Sequence, residues 1–558
     1  VEDSVKPLVF IIVMALCRSL FAEWSVCGTE ELLPIGFTAE ELTRLHEIGG
    51  RFEPTSPPPA GVRNPAESEA ATGVMVRWPL GVPYSFLVSV SNNTHLWVIV
   101  TSSQQSTAYS SLQNAGVNMT NTGFIIAGTN TIWVRDYGPW FITLPDGTQG
   151  IFNYEYNRPR PLDNQIPIVI GNAWGIPVYS SSIVHTGGNY MSSGLGESMS
   201  TDLVYAENDQ PDTWVDQQMN DYLGVGTYSV FPDPQQSYID HIDCWSKILA
   251  PDRIMVLQMP PSHPDYAALE AVANLMSTME SPYGHPWQVY RVYSGGTEGY
   301  VNGLLHNDTY YMPIWNTGND PAAIAAFQAA LPGYNITTVY YSGFANTDAL
   351  HCRTRNVMDR YALWINHTPV NQEQGTAPVT IEAFIRPHPD NTLTGHNLHY
   401  RTGGAGTFTT VVMNSMGGGI YQAQIPGLAG GTQVQYYITA SDNSGRSTAH
   451  PLHAPGTWFH SYTTGGTGID NLGNPSLGVT MLSPNPFSGS MEFATGGRAG
   501  VMRVFDASGR LVHQASTPGE AILQWTPGTG APSGVYFAVL ELDGNTVSRS
   551  VVYLGGSN

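Results

Sequence analysis

Lysine is nearly missing from this 558-residue chain: only Lys6 and Lys247 occur, and Lys+Arg total 22 against 44 Asp+Glu, a formal charge of −22. That balance excludes a basic face of the kind that grips nucleic-acid phosphates. Charged residues of both signs make up only 12%, about half the usual share, while 42% of residues are hydrophobic, so the chain is not a solvated, disordered one. Cysteine is also scarce. Cys17, Cys27, Cys244 and Cys352 are too few and too scattered for a disulfide framework, and none has the paired spacing of a zinc site. The apolar run from Pro7 to Cys17 is too short to cross a bilayer. It ends near Ser19 and Ala22 and reads as a secretory signal peptide over residues 1–22. Glu2 and Asp3 stand where positive charge is expected, and a buried N-terminal strand is the other reading. Removal of the leader leaves three cysteines, so at least one is a free thiol or is paired outside the chain. The negative surface favours cationic ligands at long range, although solubility alone accounts for it.

What is present is ample glycine and proline, 59 and 40 residues, and a length that predicts roughly three or four folded units. From about Arg51 to His367, short apolar strands such as His95–Val100, Arg253–Leu257 and Thr309–Ile314 alternate with helical patterns, the signature of an α/β region. One helix is predicted with Asp320 as its cap, Pro321 in its first turn, Ile324, Phe327 and Leu331 on one face, and Gly333 at its end. A second is expected from about Asp265 to Glu280, with Leu269, Val272, Met276 and Met279 in a stripe. After His367, Val379–Ile385, Ile420–Ile425 and Gln433–Ile438 alternate with period two between Gly-rich turns. That spacing predicts an immunoglobulin-like β-sandwich over residues 368–462, one without cysteine. A glycine-rich linker, residues 463–478, leads to a last all-β stretch, 479–558, with strands at Val501–Phe505 and Val535–Leu540.

Four segments between Trp133 and Cys352 carry residues suited to chemistry: Trp133–Pro139, His185–Asn189, His241–Cys244 and Leu350–Cys352. On a strand, His241 and Asp243 would share one face, a proton carrier beside a carboxylate, with Cys244 buried on the other. A lone His-x-Asp pair is as readily a structural ion pair. Gly187-Gly188 more often marks a turn than a functional loop, and a free cysteine such as Cys352 is more often a small buried hydrophobe than a nucleophile.

Taken together and in this order, the four segments resemble the guanidino-group-modifying deiminases, specifically the Porphyromonas-type peptidylarginine deiminases with their agmatine deiminase relatives, over about Arg51 to Asp359. The resemblance implies a five-bladed α/β propeller, the pentein fold, for residues 23–367. It implies that Cys352 is the nucleophile, that His241 is the acid/base, and that Asp136 and Asp243 hold the guanidinium. The residue types suit the task. A guanidinium is a planar, permanently charged fork of N–H donors, so two carboxylates can grip its edges and present its carbon to a thiolate. Neither metal nor organic cofactor is needed. A Cys–His protease is disfavoured, since papain-like enzymes place the cysteine before the histidine and have no use for two carboxylates.

In the peptidylarginine branch, the resemblance carries a pair of arginines that binds the carboxylate of a C-terminal arginine onto Arg158 and Arg160, which are too polar for a core. Trp133 is expected to pack on the substrate's methylene stem, Tyr238 and Asn302 to lie beside the pocket, and Thr347 to lie near the nucleophile. The tail, through Leu482–Phe487, Asp506–Arg510 and Gly534–Phe537, resembles the C-terminal sorting domain of the type IX secretion system. It departs from that pattern in having Arg549 as the only basic residue near its end. The expected protein is a secreted or surface-attached peptidylarginine deiminase acting on arginine-containing peptides or proteins, exported by the type IX machinery. The rival readings are an agmatine or free-arginine deiminase that uses the same four residues, and a catalytically silent adhesion protein working through its β-domains.

Overall fold

The computed structural model describes residues 33–49, 53–370 and 375–465 and, with interruptions, 480–553. The expected leader, with Cys17 in it, and Cys27 and most of the linker lie outside the described residues.

From Ala71 to Met358 one strand pattern recurs. In the first sheet β1 (Ala71–Arg77), β2 (His95–Val100) and β3 (Thr122–Ile126) run parallel. Four three-stranded sheets follow along the chain: β4 (Trp140–Thr143), β5 (Gln149–Tyr156) and β6 (Val178–His185); β7 (Met191–Ser192), β8 (Glu197–Thr201) and β9 (Thr227–Phe231); β10 (Ser246–Ala250), β11 (Arg253–Gln258) and β12 (Gln288–Tyr293); β13 (Leu304–His306), β14 (Thr309–Ile314) and β15 (Asn335–Tyr340). In each, the first two strands pair antiparallel and the last two parallel. The final strand, β16 (Arg355–Met358), returns to β1 and pairs antiparallel with it, Ala71 opposite Met358 and Met75 opposite Arg355. The first sheet thereby acquires the same antiparallel-then-parallel order as the others.

Parallel strands covered on both faces read as unbroken apolar runs. Val74, Met75 and Val76 of β1 and Leu96, Val98, Ile99 and Val100 of β2 are accordingly buried. The crossovers carry the amphipathic helices. Tyr266–Met276 buries Leu269, Val272, Ala273 and Met276, a stripe at helical spacing. It ends at Met276, short of the expected Glu280, and Met279 packs on the same core from the turn beyond. In the helix Asp320–Ala330 the cap position is Asn319, not Asp320. Asp320 instead turns its carboxylate back on the preceding loop, accepting from the Tyr300 hydroxyl at 2.7 Å and Thr317 N at 3.1 Å. Phe327 on this helix stacks on Tyr310 of β14, ring centroids 4.2 Å apart.

Two antiparallel sheets follow. One orders Trp364–Asn366, Val379–Arg386, Ile420–Ile425 and Asn414–Gly417; the other orders Thr409–Val412, Leu393–Thr402, Gln433–Asp442 and Ser447–His450, with His460–Thr463 also on Gln433–Asp442. Ile381, Ile385, Leu398, Ile425 and Ile438 fill the space between them. Near the end of the chain, two more antiparallel sheets, built around Met491–Ala494 and around Gly500–Asp506 with Gly534–Leu542, share a core that includes Phe493, Val504, Trp525 and Leu540. Among the described residues, no helix is long and apolar enough to cross a membrane.

Candidate active site

Each of the five connections from one sheet to the next sends residues to a single buried cluster. The β3–β4 connection supplies Trp133 and Asp136, β6–β7 supplies Gly187, Gly188 and Asn189, and β9–β10 supplies His241, Asp243 and Cys244. Asn302 comes from β12–β13, and Thr347, His351 and Cys352 from β15–β16. Sequence separation is thus no obstacle, because every connection leaves its sheet in the same sense.

Locally the chain avoids strand geometry here. Asp136 lies in the short helix Val134–Tyr137, its Oδ1 accepting from Gly188 N at 3.2 Å. His241 and Asp243 do not share a strand face as expected. Ile242–Cys244 form one 3-10 turn, fixed by Ile242 N donating to Asn189 Oδ1 at 3.2 Å, and β10 begins only at Ser246. Cys352 sits in another such turn, His351–Arg353. The Asn302 amide nitrogen donates to Cys352 Sγ at 3.3 Å, and Cys352 Sγ lies 3.6 Å from Asp243 Oδ2. His241 Nδ1 is 3.9 Å from Asp136 Oδ1. Gly188 explains why these groups can converge. A Cβ there would lie 2.6 Å from His241 Nδ1, 2.8 Å from Asp136 Oδ1 and 3.2 Å from Asp243 Oδ2, so only a glycine leaves the three facing one point. Gly187 is equally constrained, since its Cβ would meet the Arg135 carbonyl at 2.0 Å.

The cluster is dry. Cys352 and His241 are 0% exposed and Asp136 and Asp243 are 1%, and burial disfavours charge. Burial and the nearby Asp243 charge push the Asp136 carboxyl up to about 7. Burial lowers His241 to about 4, and neither of its ring nitrogens has a hydrogen-bond partner among the described residues. Burial, with the charges of Asp243 and Asp136, raises the Cys352 thiol. The free site therefore holds a thiol and a neutral imidazole. Asp243 differs: burial raises its pKa, but the hydrogen bond and charge of His351 outweigh that and hold it below the usual range. His351 Nδ1 lies 2.6 Å from Asp243 Oδ2 and its Nε2 lies 2.7 Å from Glu67 Oε2. Glu67 in turn pairs with Lys247 at 3.0 Å and Arg135 at 3.1 Å. With both carboxylates ionised, His351 must offer an N–H to each, which requires the imidazolium even though burial, Arg135 and Lys247 pull the other way.

The remaining expected residues fall in different places. Asn302 touches the thiol, and the Thr347 backbone carbonyl lies 3.3 Å from Cys244 Sγ and 3.9 Å from Cys352 Sγ. Tyr238 is half exposed, its hydroxyl 3.4 Å from Asp348 Oδ2. Trp133 is buried under the Arg353 guanidinium and donates from Nε1 to Leu33 O at 3.1 Å. Arg158 and Arg160 correct the expectation that they are too polar for a core, for both are buried. The segment Leu33–Glu41 covers them and supplies the acceptors that make burial tolerable. Three contributors escaped sequence reasoning: Gly188 as a cradle, Asn189 as the anchor of the His241 turn, and the Glu67–His351 network behind Asp243. For His351 the signal was its place beside Cys352. For Glu67 and Lys247 there was none.

The sequence pattern of the Porphyromonas-type peptidyl-arginine deiminases matches residues 63–357, more than half of the chain. The chain belongs to that family. A protein assigned as an agmatine deiminase in Streptomyces avermitilis is 22% identical over 253 residues, 40% of this chain and 73% of its own length. One from Vibrio parahaemolyticus is 23% identical over 275 residues, 41% and 76%. Among solved structures, the agmatine deiminase of Enterococcus faecalis covers 54% of this chain and 96% of its own at 18% identity and a TM-score of 0.49. A protein assigned as an arginine deiminase in Porphyromonas gingivalis covers 53% and 98% at 17% identity and a TM-score of 0.47. The deiminase described here is a hydrolase of C–N bonds in amidines.

Proposed function

We propose that this deiminase converts arginine, preferentially at a peptide C-terminus, to citrulline and ammonia through a covalent adduct on Cys352. The observation that supports this reading is the convergence of Asp136, His241 and Asp243 on the point kept open by Gly188, with Asp243 Oδ2 3.6 Å from Cys352 Sγ. Asp136 and Asp243 pair with the guanidinium edges. The arriving cation lowers the thiol pKa, and neutral His241 accepts the thiol proton. The thiolate forms an S–C bond to the guanidinium carbon, giving a tetrahedral adduct. The C–N bond breaks as His241 returns the proton to the leaving ammonia. Water then adds to the thiouronium-like intermediate with His241 as base, the C–S bond breaks, and the ureido product leaves with the thiol restored. In this reading Asn302 orients the sulfur, and the five sheets are the five blades of a pentein propeller, residues 23–367, with the connections gathered at one end of its axis.

Arg158 and Arg160 are the proposed clamp on the substrate carboxylate, with Trp133, Tyr238 and Thr347 lining the approach. A second reading, agmatine as substrate, is favoured by one observation: Arg160 is already paired with Glu41 at 2.7 Å, which a substrate without a carboxylate would leave undisturbed. Product formation from a peptide ending in arginine, the same peptide amidated, and agmatine distinguishes the two. Activity confined to the free C-terminal arginine supports the clamp, and preference for agmatine selects the second reading. Full activity in Cys352→Ala overturns the nucleophile in either. We further propose, from their period-two alternation, that residues 368–462 form an immunoglobulin-like unit, and, from the tail motifs, that 479–558 direct type IX export and that the enzyme works outside the cell.

A further inference from the structure

A short run of the same chain packs against the buried cluster and the proposed arginine clamp. Leu33 O accepts from Trp133 Nε1 at 3.1 Å, Ile35 O from Arg158 Nε at 3.2 Å, and Pro34 O and Gly36 O both from Arg160 Nη2 at 2.8 Å. Ile35, 1% exposed, packs in the apolar cluster that contains Trp133, Ile242, Cys244 and Cys352. The Arg158 guanidinium lies over the Phe37 ring at 4.1 Å. Glu41 then closes on Arg160, Oε1 to Nε at 2.7 Å and Oε2 to Nη2 at 3.1 Å, the two-pronged contact an arginine makes with a carboxylate. Its carboxylate is aimed in advance: Thr38 N donates to Glu41 Oε2 at 2.8 Å and Glu41 N to Thr38 Oγ1 at 3.1 Å, the reciprocal bonds of a capping box.

We propose that residues 33–41 are an intramolecular plug that holds the deiminase latent, Glu41 standing in for the C-terminal carboxylate of a substrate, and that the enzyme turns over only when this segment is displaced or cut away. The inference rests on the proposed role of Arg158 and Arg160. The chemistry of the plug fits that role at each point. It presents backbone carbonyls and one carboxylate to the two arginines and an apolar side chain to the pocket wall, but it brings no guanidinium to Asp136 and Asp243. It can therefore occupy the substrate's approach without being consumed. A competing substrate must displace three main-chain hydrogen-bond sets and a buried ion pair, and its apparent affinity falls by the fraction of molecules in which the plug is out.

The test uses the full chain with a site for a sequence-specific protease inserted after Gly49, which is exposed, and with Glu41→Gln in the same background so that the cut fragment can leave. The folded protein is assayed before and after cutting. The readouts are the rate of Cys352 alkylation by iodoacetamide, followed by peptide mapping, and kcat/KM on a peptide ending in arginine. Both are expected to rise at least about tenfold on cutting, and a synthetic peptide of residues 33–41 with the native Glu41 is expected to restore the slow rates. Equal alkylation of Cys352 in the uncut native chain and the cut variant overturns the plug. Faster alkylation with no turnover of any guanidine substrate leaves the plug standing and overturns the proposed reaction, so the two failures are distinguishable.

Discussion

At the scale of single residues, the site works by what is withheld as much as by what is supplied. Gly188 withholds a methyl group, and His241 is withheld from any hydrogen-bond partner among the described residues. Gly188→Ala puts a carbon 2.6 Å from His241 Nδ1 and 2.8 Å from Asp136 Oδ1. Displacing such groups by about 1 Å costs roughly 10²-fold in rate, so steady-state kinetics should show kcat/KM falling by about that factor while the far-ultraviolet circular dichroism stays native. A second expectation concerns pH. Asp136 is raised to about 7, and only its carboxylate can pair with a guanidinium. The free enzyme's kcat/KM should therefore climb as pH rises through about 7, where an ordinary carboxylate would have finished titrating near 4. A profile flat from pH 5 to 8 would count against Asp136 as a partner of the cation. His351 supplies the contrast. Its contact with Asp243 keeps that carboxylate ionised, so the two acids, both buried, stand ready in different protonation states.

At the scale of elements, legibility followed locality. The strands His95–Val100, Thr309–Ile314 and Ile420–Ile425 coincide with their apolar runs, because burial on both faces or strict alternation is written in adjacent residues. The His241–Cys244 segment misled because alternation alone cannot distinguish a two-residue strand step from a 3-10 turn pinned by Asn189, more than fifty positions away. Arg158 and Arg160 misled for the same reason at longer range. Nothing near them reveals that Pro34, Gly36 and Glu41 will neutralise their burial. The helix Asp320–Ala330 shows the opposite case, its Phe327 face being legible while its cap is displaced by one residue and its end falls at Ala330, with Leu331 just beyond it. Phe327 is fully buried against Tyr310, so Phe327→Ala should cost about 3–5 kcal/mol, read as a lower urea midpoint with an unchanged slope.

At the scale of the whole molecule, the sum of buried ionisable groups dictates how stability varies with pH. Asp136, Asp163 and Glu197 are raised to about 7 and Glu207 to about 8, in each case first by burial. An acid with a raised folded pKa contributes stability that is present below its unfolded pKa near 4 and is lost as pH climbs through the folded value. The buried histidines act in the other direction. His185 and His450 near 3 and His241 and His367 near 4, all lowered first by burial, oppose folding below their unfolded pKa of about 6.5 and cease to do so above it. The two sets oppose each other between about pH 4 and 6.5, and above 6.5 only the acids still titrate, so thermal midpoints should decline from pH 6.5 to about 8, and a midpoint still rising over that interval would contradict the buried acids. The pairing of β16 with β1 has a consequence in time. The turn that carries Cys352 is anchored three residues before β16, whose partner is the first strand of the five-sheet unit. During synthesis, which proceeds from the N-terminus at about 5–20 residues per second, Asp136, His241 and Asp243 all leave the ribosome well before the sulfur does. A nascent chain of this enzyme thus cannot carry out the proposed chemistry until Cys352 has been made, and it acquires that reactivity only when β16 has found β1.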